Sequence, residues 1–130
     1  MAGPHPRFGV QYIIRGAHGR NLGSRPDGGL YTKANDEAWE TWTFHPAGGD
    51  NKFFIHSAHA KSLGVKPNGE LYTTINNLEW ETWTVERAAA SGGFFLVGAH
   101  GKCLGTKPDG ELYVTENRKE WETFTFSLSG

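Results

Sequence analysis

The hexapeptide Trp39-Glu40-Thr41-Trp42-Thr43-Phe44 returns as Trp80-Glu81-Thr82-Trp83-Thr84-Val85 and again as Trp121-Glu122-Thr123-Phe124-Thr125-Phe126, so that its first position moves from 39 to 80 to 121 in two equal steps. Ala17-His18-Gly19-Arg20, Ala58-His59-Ala60-Lys61 and Ala99-His100-Gly101-Lys102 keep the same spacing, with no insertion. A constant period of this size marks one supersecondary unit written repeatedly because a single copy cannot bury its own apolar face. At 130 residues the chain can build one shared core, whereas a single repeat is too short for a core of its own. The expectation is a single domain over 1–130 with approximate threefold symmetry and repeats of about 8–48, 49–89 and 90–130.

Within each repeat the pattern reads as four short strands. Residues 10–15, 53–56 and 94–97 are apolar runs rich in aromatic and branched side chains. Residues 20–25, 61–66 and 102–107 follow, with Leu22, Leu63 and Leu104 as the inward residue and cations at both ends. Arg25-Pro26-Asp27-Gly28, Lys66-Pro67-Asn68-Gly69 and Lys107-Pro108-Asp109-Gly110 then combine Pro, an Asx side chain and Gly, the chemistry of a tight turn. The third strand, at 30–32, 71–73 and 112–114, alternates with Leu inward and Tyr outward. A polar loop around Asn35, Asn76 and Asn117 leads to the fourth strand, the Trp-Glu-Thr-aromatic-Thr segment. No long window shows helical spacing, so the expected class is all-β, with twelve strands closed into a barrel that has no open edges.

Three such units, each with one leucine on its second strand, resemble a β-trefoil. His100-Gly101-Lys102, Leu104-Gly105, Lys107-Pro108-Asp109-Gly110-Glu111-Leu112 and Trp121-Glu122-Thr123-Phe124 further resemble the fascin, or actin-crosslinking, type of that fold. The resemblance covers about 12–126 and implies an actin-binding role, carried by cations such as Arg20, Lys61 and Lys102. Two departures are plain: fascins string four trefoils together, and the tryptophan before each glutamate is more regular here than that family's pattern.

The three copies also allow an internal comparison. Between Tyr12 and Phe44 and their counterparts, thirteen positions are identical in all three repeats. The leucines, the prolines and the turn glycines are explained by core and turn chemistry, and Gly23, Gly64 and Gly105 mark a bulge or a close approach. Left over are His18, Tyr31, Asn35, Trp39 and Glu40, repeated as His59, Tyr72, Asn76, Trp80, Glu81 and as His100, Tyr113, Asn117, Trp121, Glu122. Structural explanations exist for each: a histidine bonding the neighbouring backbone of its turn, an Asx turn at Asn, a glutamate held by backbone N–H groups or Arg20-type cations. If the segment is a regular strand, Glu40 shares a face with the core residue Trp42, and Trp39 lies outside.

As a set, however, they have the chemistry of a sugar site, an aromatic platform for the C–H face of a pyranose and planar groups for its hydroxyls. The first reading is therefore a non-enzymatic, glycan-binding lectin with up to three shallow sites, one per repeat. Clustered, multivalent glycans would raise its avidity by about 10² or more. F-actin is the alternative partner. A third reading is an inhibitor-like trefoil acting through a loop that breaks the repeat, 46–52 or 87–93. Repeat differences at Glu37, Leu78 and Lys119, beside the proposed loop, suggest that the sites are not equal.

Other chemistries find little footing. A net charge of −1 gives no electrostatic drive toward nucleic acid or anionic membranes, and no apolar run approaches the roughly 18 residues of a membrane span. His56 and His59 are three apart in one repeat only, so no metal and no other cofactor is expected. Cys103 stands beside a core leucine, has no cysteine counterpart and reads as a small buried hydrophobe. The opening residues lack the charged start and apolar stretch of a secretory leader, so the expectation is a cytoplasmic protein or the mature form of an exported one.

Overall fold

The computed structural model describes residues 7–35, 37–88 and 93–128. Residues 1–6 of the lead-in, and 89–92 of the loop at 87–93, lie outside the described residues. The protein is all-β. Its strands are β1 (Gln11–Arg15), β2 (Asn21–Ser24), β3 (Leu30–Lys33), β4 (Thr41–Pro46), β5 (Lys52–Ser57), β6 (Ser62–Val65), β7 (Leu71–Thr74), β8 (Thr82–Arg87), β9 (Phe94–Val97), β10 (Cys103–Thr106), β11 (Leu112–Thr115) and β12 (Thr125–Leu128).

Six of them close on one another. β1 pairs with β12 and β4, β4 with β5, β5 with β8 and β8 with β9, all antiparallel. An antiparallel bridge between Phe94 and Phe124 completes the ring. The pairs Tyr12–Trp42, Phe53–Trp83 and Phe94–Phe124 are the same step taken once in each repeat, at equal spacing. Ring closure gives each of these six strands a neighbour on both sides. The other six strands form the hairpins β2–β3, β6–β7 and β10–β11.

The expected turns are present. Gly28, Gly69 and Gly110 have φ of 96°, 94° and 96°, a region closed to side chains at low cost. Asp27 Oδ1 accepts the Gly29 N–H at 2.9 Å, and Asn68 and Asp109 repeat the bond.

Ile14, Leu22, Trp42, Phe44, Ile55, Leu63, Trp83, Val85, Leu96, Leu104 and Phe124 form a continuous buried core. A buried indole must place its N–H. Trp42 Nε1 donates to the Leu22 carbonyl at 2.9 Å and Trp83 Nε1 to that of Leu63 at 2.8 Å, while Phe124 in the third repeat has no such group to place. Cys103 is fully buried, and burial pushes its thiol pKa up. Among the described residues no helix is long and apolar enough to cross a membrane.

Two local expectations need correction. The fourth strand does not include the tryptophan: Ala38–Glu40, Glu79–Glu81 and Glu120–Glu122 are single 3-10 turns, and β4 and β8 begin at the threonine after them. The turn forms because Glu40 bonds backward twice, its N–H to the Glu37 carbonyl at 3.0 Å and its Oε1 accepting the Glu37 N–H at 2.8 Å. Strand alternation therefore says nothing about Trp39 or Glu40.

Nor is Gly23 a bulge: Tyr31 is half-buried against it, on the face opposite Leu22 and Leu30 as alternation expects. The two residues pair across an unbroken ladder, and a Cβ built on Gly23 would lie 2.5 Å from the phenol ring. The repeated glycine makes room for a tyrosine ring.

Candidate functional site

The 3-10 turn presents Trp39 and Glu40 in opposite senses. Trp39 is 45% exposed, as are Trp80 at 40% and Trp121 at 41%, while Glu40, Glu81 and Glu122 are buried. A buried carboxylate has to be paired or hydrogen-bonded. Glu40 accepts the Glu37 N–H on Oε1 and the Tyr31 hydroxyl on Oε2; Glu81 is held by Leu78 N–H and Tyr72, Glu122 by Lys119 N–H and Tyr113. Burial first, and then the adjacent carboxylate, push the pKa values of all three phenols well above the ordinary tyrosine value. They stay neutral donors.

Of the two partners the sequence offers for these glutamates, the backbone N–H groups serve, while Arg20 and Lys61 are engaged elsewhere. Arg20 Nη1 donates to the Thr32 carbonyl at 3.3 Å, and Lys61 Nζ to that of Pro26 at 3.4 Å.

The histidines reach across repeats instead of bonding their own turn. His18 Nε2 is 3.0 Å from the Thr106 carbonyl, His59 Nε2 3.0 Å from that of Ser24 and His100 Nε2 3.1 Å from that of Val65. A carbonyl only accepts, so Nε2 is the protonated donor and Nδ1 is left as an acceptor when the ring is neutral. Each imidazole also meets the edge of the preceding repeat's tryptophan, with centroids 5.6 Å apart for His59–Trp39, 5.8 Å for His100–Trp80 and 5.4 Å for His18–Trp121. The sequence grouped His18 with Trp39; the structure groups it with Trp121.

Two equivalent clefts result. In the first repeat Tyr31, Asn35, Trp39 and Glu40 line a hollow of about 320 Å³ with Lys33, Glu37 and Ala38. In the third, Tyr113, Asn117, Trp121 and Glu122 line one of about 460 Å³ with Lys107, Lys119 and Glu120. The sequence names four residues of each and the variable Glu37 and Lys119 beside them, but does not place Lys33, Lys107 or Glu120 at the clefts. In the second repeat the Tyr72–Glu81 bond and the Trp80–His100 contact recur, and Asn76 is exposed.

Local bonding orders the asparagine loop. Asn21 Nδ2 donates to the Asn35 carbonyl at 2.7 Å, and the N–H groups of Asn76 and Asn117 donate to Thr74 and Thr115 Oγ1 at 3.3 Å. A larger hollow of about 620 Å³ lies between the hairpins, over Leu30, Leu71 and Leu112; no indole and none of the three loop asparagines lines it.

Among the described residues no group of three or more His, Cys, Asp and Glu gathers as a metal site would. His56 instead lies tilted against His45, with centroids 4.1 Å apart, and bonds Asn77 Oδ1 at 3.1 Å.

No family model matches the chain, and no curated protein matches its sequence. Among solved structures it is similar to that of SeviL bound to asialo-GM1 saccharide, with a TM-score of 0.82 over 93% of this chain and 98% of that one. Sequence identity is 14%, so the likeness is one of fold.

Proposed function

We propose that the chain is a β-trefoil of three equal repeats acting as a non-enzymatic carbohydrate-binding protein, with up to three shallow glycan sites. The observation that carries this reading is that the same tyrosine, asparagine, tryptophan and glutamate line a cleft twice, in the first and third repeats. The half-exposed indole offers a flat apolar face, and the asparagine amide offers both a donor and an acceptor for vicinal hydroxyls. The tyrosine–glutamate bond and the histidine of the next repeat hold the indole in place. A fold shared with a protein solved with a saccharide supports the class. The fascin-like alternative draws no such support from the comparisons.

The test is a glycan array probed with labelled protein at low and high salt, beside F-actin co-sedimentation and the triple variant Asn35→Ala, Asn76→Ala, Asn117→Ala. Binding to a coherent set of glycans that the triple variant loses supports the reading. A folded triple variant that binds unchanged removes the asparagines from the site. A blank array with salt-sensitive actin pelleting overturns the carbohydrate reading.

A further inference from the structure

One position on the cleft rim changes character while its surroundings stay constant. Glu37, Leu78 and Lys119 are the same residue of the three repeats: an anion, an alkyl chain and a cation. The main chain fixes each, since its N–H donates to the buried glutamate three residues on at 2.8, 2.8 and 2.9 Å. The side chain is therefore free to vary without disturbing the turn. Glu37 lines the first cleft and Lys119 the third.

The other cations are similar in the two clefts. In the first, Lys33 lines the cleft and Arg25, the counterpart of Lys107, lies 5.1 Å over the Tyr31 ring, so the contrast rests on Glu37 against Lys119. In the third, Lys119 and Lys107 face a single exposed carboxylate, Glu120, because Glu122 is buried and tied to Tyr113 and the Lys119 N–H. Lys107 lies 3.3 Å from Glu111, and Lys119 has no ion-pair partner among the described residues. The third cleft is also the larger, leaving room for a substituent beyond one sugar ring. When a shared platform carries opposite charges at one equivalent rim position, discrimination comes from attraction at one copy and repulsion at the other.

Resting on the carbohydrate-binding reading, we propose that the third-repeat cleft selects saccharides bearing an anionic substituent through Lys119, and that Glu37 excludes the same ligands from the first cleft. A sugar carboxylate and a sugar sulfate share the required chemistry, an oxyanion within reach of an ammonium group. Leu78 leaves the second repeat without either preference.

The experiment compares the full chain with Lys119→Glu and with Glu37→Lys. The probe is an array on which each neutral oligosaccharide stands beside its sialylated and its sulfated derivative, read at about 50 mM and about 500 mM salt. The unsubstituted chain is expected to favour one or both anionic derivatives over the neutral parent by about threefold to tenfold at low salt, and less at high salt. Lys119→Glu should abolish that ratio, and Glu37→Lys should increase it. Which derivative is favoured identifies the anion. Equal binding of neutral and anionic members overturns this inference alone. So does a Lys119→Glu variant that keeps the wild-type ratio, or that loses neutral and anionic members together. An array with no bound glycan overturns the carbohydrate reading itself.

Discussion

The Tyr31 hydroxyl donates to the buried carboxylate of Glu40, nine residues further on, and Tyr72–Glu81 and Tyr113–Glu122 repeat the bond. It joins the third strand of each repeat to the 3-10 turn that carries the exposed tryptophan. The same carboxylate holds the N–H of the residue that opens the turn. A core-side interaction thereby sets the position of an indole at the surface.

Tyr31→Phe keeps the ring over Gly23 and removes only the donor. The buried Glu40 carboxylate is then left with a single bond, and a hydrogen bond to a charged group is worth about 1.5–3 kcal/mol. A loss of about 2 kcal/mol in urea denaturation is expected, and Tyr72→Phe and Tyr113→Phe should cost similar amounts. A change within about 0.5 kcal/mol, the ordinary range for surface substitutions, would show that the bond carries no net stability.

The same three phenols predict the alkaline limit of the fold. Their pKa values are raised in the folded protein, so below the unfolded tyrosine value of about 10 both states hold the proton and these groups add no pH dependence. Above it the unfolded chain ionises while the folded one does not, and stability falls with rising pH. Denaturation midpoints should be insensitive to these groups up to about pH 10 and then decline. Phenolate absorbance from Tyr31, Tyr72 and Tyr113 should appear together with loss of the fold. Free ionisation of all the tyrosines with the fold intact would contradict the buried tyrosine–glutamate pairs.

The all-β class, the succession of strands and the hairpin turns could be read from the sequence because each has a local cause: alternation, the Pro-Asx-Gly chemistry, a constant repeat period. The cleft quartet was also legible, since Tyr31, Asn35, Trp39 and Glu40 survive in all three copies without an obvious core role. What misled was treating Trp39-Glu40 as strand, because a glutamate side chain that folds back on its own turn leaves no mark in apolar periodicity. The histidines were misplaced for a different reason. His59 bonds Ser24, 35 residues earlier, and a contact between repeats looks the same in sequence as one within a repeat.

Position 24, with its counterparts 65 and 106, carries Ser24, Val65 and Thr106, and packing explains the difference. A Cβ on Gly98 would meet Val65 Cγ1 at 2.8 Å, and one on Gly16 would meet Thr106 Oγ1 at 2.8 Å; the residue equivalent to these glycines beside Ser24 is Ser57. A glycine in that place admits a branched neighbour, and a serine restricts it to a small one. Both Ser24 Oγ and Thr106 Oγ1 are buried without a hydrogen-bond partner. Thr106→Val therefore removes an unpaired hydroxyl where valine already fits in the second repeat, and a gain of about 1 kcal/mol is expected. Ser24→Val removes an equally unpaired hydroxyl but forces two methyl groups against the Ser57 side chain, at a cost of about 1–3 kcal/mol. Calorimetric melting of the two variants should give Tm shifts of opposite sign. If both rise, overpacking is absent and the Ser24–Ser57 pairing has no packing cause; if both fall, the hydroxyls are stabilising and the account of position 106 fails.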